Sequence, residues 1–176
     1  MKRTLSSILI ITFFLLNMPV PGKDNSLKVA PQKPKAGSEI TIAFDAAGTE
    51  IAGAKEIEVT VCQYSTEIED TYSLDMNKEG NVWTAKIKIG DKTEIIGLKF
   101  EGDGKEETNN GNGYFVEMTG KDGAETPGAR MGRATALGFW GYYIGADRDA
   151  KKAYDMMSEI FKTNPELKSK LKVKSI

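Results

Sequence analysis

The 176-residue sequence has no histidine and a single cysteine, Cys62. Without histidine there is no imidazole base, no Ser-His or Cys-His pair, and the commonest metal ligand is gone. One cysteine cannot close an intramolecular disulfide or supply a Cys-x-x-Cys redox site. Zinc held by carboxylates alone would go against its preference for sulfur and nitrogen. These absences exclude most hydrolytic, redox and metal chemistry. We therefore read the chain as non-enzymatic, with no cofactor, no catalytic residue and no metal ligand.

Excess positive charge is missing too, the formal net charge being −1. The chain lacks the basic footprint of a nucleic-acid binder and the polybasic surface that holds anionic lipid. The longest apolar run is confined to the start. Lys2 and Arg3 precede Leu5 to Leu16, and the segment ends at Val20-Pro21-Gly22. A positive start, a short apolar middle and a small residue at the end form the pattern of a secretory signal peptide. The run falls short of the roughly 20 apolar residues that span a bilayer. No cysteine follows it, which argues against a lipid-anchored leader. The expected product is exported to the periplasm or cell envelope, or secreted, with no membrane attachment after residues 1–22 are removed.

From Leu27 to Met118 apolar residues alternate. The runs are Ile40, Ile42, Phe44; Ile57, Val59, Val61; Tyr72, Leu74, Met76; Trp83, Ala85, Ile87, Ile89; Ile96, Leu98, Phe100; and Tyr114, Val116, Met118. Period-two alternation marks strands with one buried face. The stretches between them hold Gly, Asn, Asp or Pro, which supply turn geometry. With a short strand near Leu27 to Val29, the pattern predicts about seven strands in an antiparallel β-sandwich of immunoglobulin or fibronectin III shape. The fold class is mainly β with C-terminal α. The expected divisions are a signal peptide over 1–22, a β-sandwich over 23–120, a linker over 121–128 and a helical hairpin over 129–176.

After Gly120 the period changes. Ala136, Leu137, Trp140 and Ile144 fit a first helix ended by Gly145. Asp149 caps a second, with Ala153, Met157, Ile160 and Phe161 on one stripe. Asn164-Pro165 opens a third, holding Leu167 and Leu171. Gly132, Gly138 and Gly141 each cost about 1 kcal/mol against alanine in an exposed helix. They make sense only where another part of the chain packs closely. Gly141, Ala153 and Pro165 fall twelve residues apart, like the small, small and Pro positions of a tetratricopeptide unit. One such unit cannot bury its own faces. The stripe therefore needs the sandwich, further domains of a longer chain or a protein partner. Trp140, Tyr143 and Met157 are the candidate partner-binding residues.

The sharpest local feature is Asn109-Asn110-Gly111-Asn112-Gly113-Tyr114. It resembles the Asn-Asn-Gly-x-Tyr edge of several starch- and sugar-binding sandwiches. That resemblance makes Asn109, Asn110, Asn112 and Tyr114 candidate glycan ligands, since an amide offers two donors and an acceptor. The competing reading, which we favour, is a hairpin loop that uses Gly and Asn for positive φ. Trp83 shares its phase with Ile87 and Ile89, so it is expected in the core. Cys62 faces away from Val59 and Val61, with Tyr64, as a half-buried small residue. Glu67, Glu69 and Asp70 read as a solvated loop, as do Asp103, Glu106 and Glu107.

The order of features adds a resemblance. Pro31, Pro34 and Gly37 open the mature chain, followed by WTAKIKI (83–89), NNGNGYF (109–115) and a Gly-rich hairpin ending TNPEL (163–167). This resembles the N-terminal region of exported thioredoxin-like proteins of the Bacteroidetes kind. There a β-sandwich and tetratricopeptide-like helices precede a TlpA-type thiol–disulfide oxidoreductase domain. This sequence has no Cys-x-x-Cys, so the resemblance carries over no activity. It implies an accessory module that binds or positions a partner; the alternative is a carbohydrate-binding module using the Asn109–Tyr114 loop.

We predict that export cleaves the chain close to Gly22–Lys23. Mass spectrometry of exported protein should find an N-terminus near Lys23, and retention of Lys2 would refute the leader.

Overall fold

Alternation puts one face of each strand in a shared interior, and the computed structural model shows where that interior lies. It describes residues 26–66 and 69–170. The leader, Glu67 and Leu171 lie outside the described residues. Among those described, nine strands form two antiparallel sheets. They are β1 (Leu27–Ala30), β2 (Glu39–Asp45), β3 (Glu58–Tyr64), β4 (Glu69–Asp75), β5 (Asn77–Glu79), β6 (Val82–Lys88), β7 (Ile95–Gly102), β8 (Lys105–Glu107) and β9 (Tyr114–Glu117). The first sheet runs β1-β2-β6-β5. The second runs β4-β3-β7, with β8 and β9 pairing different stretches of the far side of β7.

Every run read as a strand is one. The two further strands, β5 and β8, fall in stretches read as turns. Each has only three residues, rich in charge, and neither carries an apolar alternation. The β7–β8 turn at Asp103-Gly104 has positive φ at both residues (51° and 76°), the twist that suits a two-residue hairpin.

Ile40, Ile42, Phe44, Val59, Val61, Ile87, Ile96, Leu98 and Phe100 fill the space between the sheets. At its centre Phe44 of the first sheet stacks on Phe100 of the second, 3.9 Å between centroids and 13° apart. Tyr114 meets both rings edge-on, at 5.9 and 5.3 Å. Trp83 belongs to this core, and the Lys78 ammonium lies 5.1 Å over its ring. Gln63 closes one end. Its Nε2 donates to the Tyr72 hydroxyl and Lys88 O, and its Oε1 accepts from Gly90 N and the Thr93 hydroxyl. All four hydrogen-bonding positions of the amide are used.

The second sheet is apolar on its outer face as well. Cys62, Tyr64, Ile95 and half-buried Phe115 form a second cluster with Ala136, Trp140, Ile144 and Ala146 of the helical region. That region comprises α1 (Pro127–Thr135), a π-helical turn (Ala136–Trp140), a 3-10 turn (Gly141–Ile144), α2 (Ala150–Thr163) and α3 (Pro165–Lys170). Helix α1 begins two residues before the expected start, because the Thr126 hydroxyl accepts from Ala129 N and Pro127 occupies the first turn. The expected linker is not loose. Thr119 and Glu125 form a β-bridge, and Thr119 N donates to Pro34 O.

Gly145 ends the first helical segment at φ 65°, and Asp149 caps α2 through Lys152 N, as expected. Gly138 lies opposite Ala153, while Met131 clusters with Ile160 and Leu167, so α1 and α2 run antiparallel. Of the three evenly spaced positions, Ala153 meets Gly138 rather than Gly141. The glycines have separate reasons. A Cβ on Gly132 would overlap Ile95 of the sheet. A Cβ on Gly141 would lie 2.7 Å from Ala136 O, which accepts the Gly141 N–H in the π turn. Gly138 is under no such constraint, its nearest neighbour lying at 3.4 Å.

Trp140 stacks on Tyr64 at 5.3 Å and donates its Nε1–H to the Thr135 hydroxyl. Beneath it lies Gly97 of β7. A Cβ there would stand 2.7 Å from Ile144 and 3.0 Å from Trp140. We predict that Gly97→Val displaces the helical layer and costs about 2 kcal/mol through overpacking. The β circular dichroism should persist while Trp140 emission shifts to the red. Wild-type stability with unchanged emission would show that Trp140 does not depend on this hollow.

Candidate functional site

Two regions carry the sequence candidates, the Asn-rich loop and the helical layer. In the loop, Asn109 (φ 58°), Asn110 (φ 53°), Gly111 (φ 76°) and Gly113 (φ 67°) are all left-handed. The side chains mostly serve the backbone. Asn109 Nδ2 donates to Gly113 O at 3.2 Å, and Asn112 Nδ2 to Asn109 O at 2.8 Å. Tyr114 is buried among Phe44 and Phe100, so its ring offers no platform to a sugar. Asn110 and Asn112 are exposed.

Glu107, read as part of a solvated loop, is buried instead. Its carboxyl accepts from Asn109 N at 2.6 Å, from the Tyr114 hydroxyl at 3.1 Å and from Glu50 N at 3.2 Å. Since Tyr114 donates to Glu107, the Ser26 hydroxyl 3.2 Å away donates to Tyr114. One carboxyl thus fastens the loop, the core tyrosine and the β2–β3 connection. Its neighbour Glu106 is exposed and pairs with Lys99, and Asp103 is exposed.

The helical candidates separate. Trp140 is buried against the sheet, so it is not offered to a partner. Met157 is half-buried beside Met131, Ile160 and Leu167. Tyr143 is exposed, with Phe139 and Tyr142 close by in sequence and Tyr154 on α2. Their exposures are 71% for Phe139, 66% for Tyr142, 41% for Tyr143 and 71% for Tyr154. Tyr142 and Tyr143 lie ring to ring at 4.0 Å. Phe139, Tyr142 and Tyr154 are not among the candidates that the sequence pattern singles out. Ala136, Trp140 and Ile144 of the expected stripe do face the sheet, but no local signal announces the π turn between them.

The loop adjoins the segment that directly follows these aromatics. Asp147 N donates to Gly111 O at 2.6 Å, Gly145 packs on Thr108, and Ile144 packs on Gly113.

A cavity of about 530 Å³ opens at the Gln63 end, lined by Ser65, Asp70, Lys88, Asp91, Lys92 and Thr93 among others. Tyr72 beside it has a raised pKa, chiefly from burial, with Asp70 adding to the rise and the Gln63 bond opposing it. The Gln63 amide at the cavity wall is already satisfied internally. In the last turn of α1, Arg133 lies over the Phe115 ring at 4.7 Å and pairs with Glu117 at 2.9 Å. Glu125 has a raised pKa, first from desolvation and then from Glu117, against the pull of Arg130 and Arg133. Cys62 is buried beneath the helical layer. Among the described residues no three His, Cys, Asp or Glu side chains converge as metal ligands. No described helix is long and apolar enough to cross a membrane.

We predict that Glu107→Ala costs about 3 kcal/mol, because buried donors lose their acceptor. Glu107→Gln should recover part of that loss. Urea melts measure both, and an Ala variant within about 0.5 kcal/mol of wild type, the range of an ordinary surface change, would contradict the fastening role. No protein-family model matches the sequence and no curated protein matches it, so its reading rests on its own geometry.

Proposed function

We propose that the chain is an exported, non-enzymatic module whose helical layer binds or positions a protein partner or the further domains of a longer chain. One observation carries this reading. Phe139, Tyr142, Tyr143 and Tyr154 are exposed, and all four belong to the helical layer. Exposed aromatics of this kind are enriched where proteins meet. The proposed address is the periplasm or cell envelope, or the medium, reached through the leader at 1–22.

The sandwich itself is proposed to be of immunoglobulin or fibronectin III type. The order β1-β2-β6-β5 supports this, as it corresponds to strands A, B, E and D. The other sheet, β4-β3-β7-β9, corresponds to an added strand beside C, F and G. An antiparallel helical pair on such a sandwich also supports the proposed kinship with the front part of thioredoxin-like envelope proteins. The tetratricopeptide character of the pair belongs to that proposal.

The second reading is carbohydrate binding. It is favoured by exposed Asn110 and Asn112 in a loop that is bonded to the segment directly after the Tyr142–Tyr143 pair, which would take over the platform role that Tyr114 cannot fill.

We predict that a combined Phe139→Ala, Tyr142→Ala, Tyr143→Ala and Tyr154→Ala variant folds normally. Surface changes typically shift stability by no more than about 0.5 kcal/mol each. Photo-cross-linking from exposed position 150, one turn before Tyr154, in envelope preparations should give one discrete protein adduct, abolished in the variant. A cross-link that survives the four substitutions would count against the aromatic face. Measurable affinity for a soluble glucan, lost in Tyr142→Ala, would favour the second reading.

A further inference from the structure

Two identical dipeptides, Asn110-Gly111 and Asn112-Gly113, stand in one loop, and the fold treats them differently. Gly113 is buried, and its N–H donates to Thr108 O at 2.8 Å. The Asn112 side chain is tied to Asn109 O at 2.8 Å. By contrast, Asn110 is exposed, and among the described residues no hydrogen bond holds its side chain. The Gly111 N–H meets only the Thr108 hydroxyl, at 3.2 Å.

We propose that Asn110 is a site of spontaneous modification, deamidating through its own backbone to aspartate and isoaspartate. Glycine after asparagine leaves the attacking amide unhindered. Gly111 N gives up its proton and bonds to the side-chain carbonyl carbon, Cγ, of Asn110, closing a five-membered succinimide. The Cγ–Nδ2 bond breaks and the amide leaves as ammonia, taking up a proton. Water then adds to either ring carbonyl and opens the ring. Attack on the Cγ side restores the main chain as aspartate. Attack on the other side leaves isoaspartate, with an added methylene in the main chain. Water is the only co-reactant, and nothing is oxidised or reduced. At Asn112 the same step must break both the side-chain tie and the Gly113 N–H bond.

The change would bear on the neighbouring helices. Gly111 O accepts from Asp147 N, and the Asp147 carboxyl fills the space a Gly111 Cβ would need. A new carboxylate at 110 stands next to Asp147, and isoaspartate lengthens the chain leading to that bond. Both weaken the polar tie between the loop and the segment after Gly145.

The test holds the full-length protein at mildly alkaline pH and follows deamidation by peptide mass spectrometry. A free peptide of residues 106–116 serves as the clock. In the peptide both sites should convert at similar rates. In the folded protein Asn110 should convert at least about fivefold faster than Asn112, the ratio expected from one additional hydrogen bond at Asn112. Both aspartate and isoaspartate should form. Equal rates, faster conversion at Asn112, or no conversion at either site while the peptide reacts to completion would each overturn the proposal.

Discussion

The missing side chain of Gly97 decides how the two halves of the chain meet. Across the outer face of the second sheet, Gly97 pairs with Cys62 on one side and Phe115 on the other. Glycine and cysteine leave a hollow between larger neighbours. Trp140 and Ile144 occupy it, and Tyr64 stacks on the indole. An aromatic pair of this sort adds about 0.5–1.5 kcal/mol to the area it buries. The indole N–H also needs a partner once buried. Thr135 accepts it while donating its own hydroxyl proton to Gly132 O. The tryptophan's polar requirement is thus met within its own helical segment, and the sheet supplies only apolar surface.

That arrangement accounts for the irregular helix. A π turn inserts one residue relative to the α pattern, which rotates the residues after it around the axis. Ala136 O reaches Gly141 N because Gly141 has no Cβ to obstruct it. Gly132, one turn earlier, lets the helix lie against Ile95 and Tyr64. Two glycines that weaken an isolated helix therefore permit its docking. The helix is stabilised by the sheet, not by its own propensity.

How much of this could be read in advance follows from how local each cause is. The seven longer strands were legible because burial of one face writes itself into alternation. β5 and β8 were not, since Asn77-Lys78-Glu79 and Lys105-Glu106-Glu107 pair as edge strands and need almost no apolar face. The adjacent Ile95 and Ile96 carried an unused signal. Two neighbouring fully buried β-branched residues require both faces of β7 to be covered. The apolar stripe of the first helical segment was legible, since Ala136, Trp140 and Ile144 are residues that meet the sheet, but the π turn between them was not. Glu107 was misread for a different reason. One of its partners, Glu50, lies 57 residues away in the chain, and only the closed sandwich brings that donor to it. Of the candidate sites, Tyr143 stays at the surface while Trp140 and Tyr114 serve the two cores.

The exposed aromatic segment is held from both ends. Before it, Trp140 is locked into the hollow over Gly97, and Thr135 fixes the turn. After it, Gly145 packs on Thr108 and Asp147 is bonded to Gly111. Glu107 in turn fastens the loop that carries those contacts. Phe139, Tyr142 and Tyr143 therefore project from a short backbone whose two ends are anchored to one sandwich, by apolar packing at one end and hydrogen bonding at the other. Side chains presented on such a frame have less backbone freedom to lose when something binds them, which lowers the entropic cost of association. The buried glycines and the buried carboxyl contribute the fixed placement of these exposed rings.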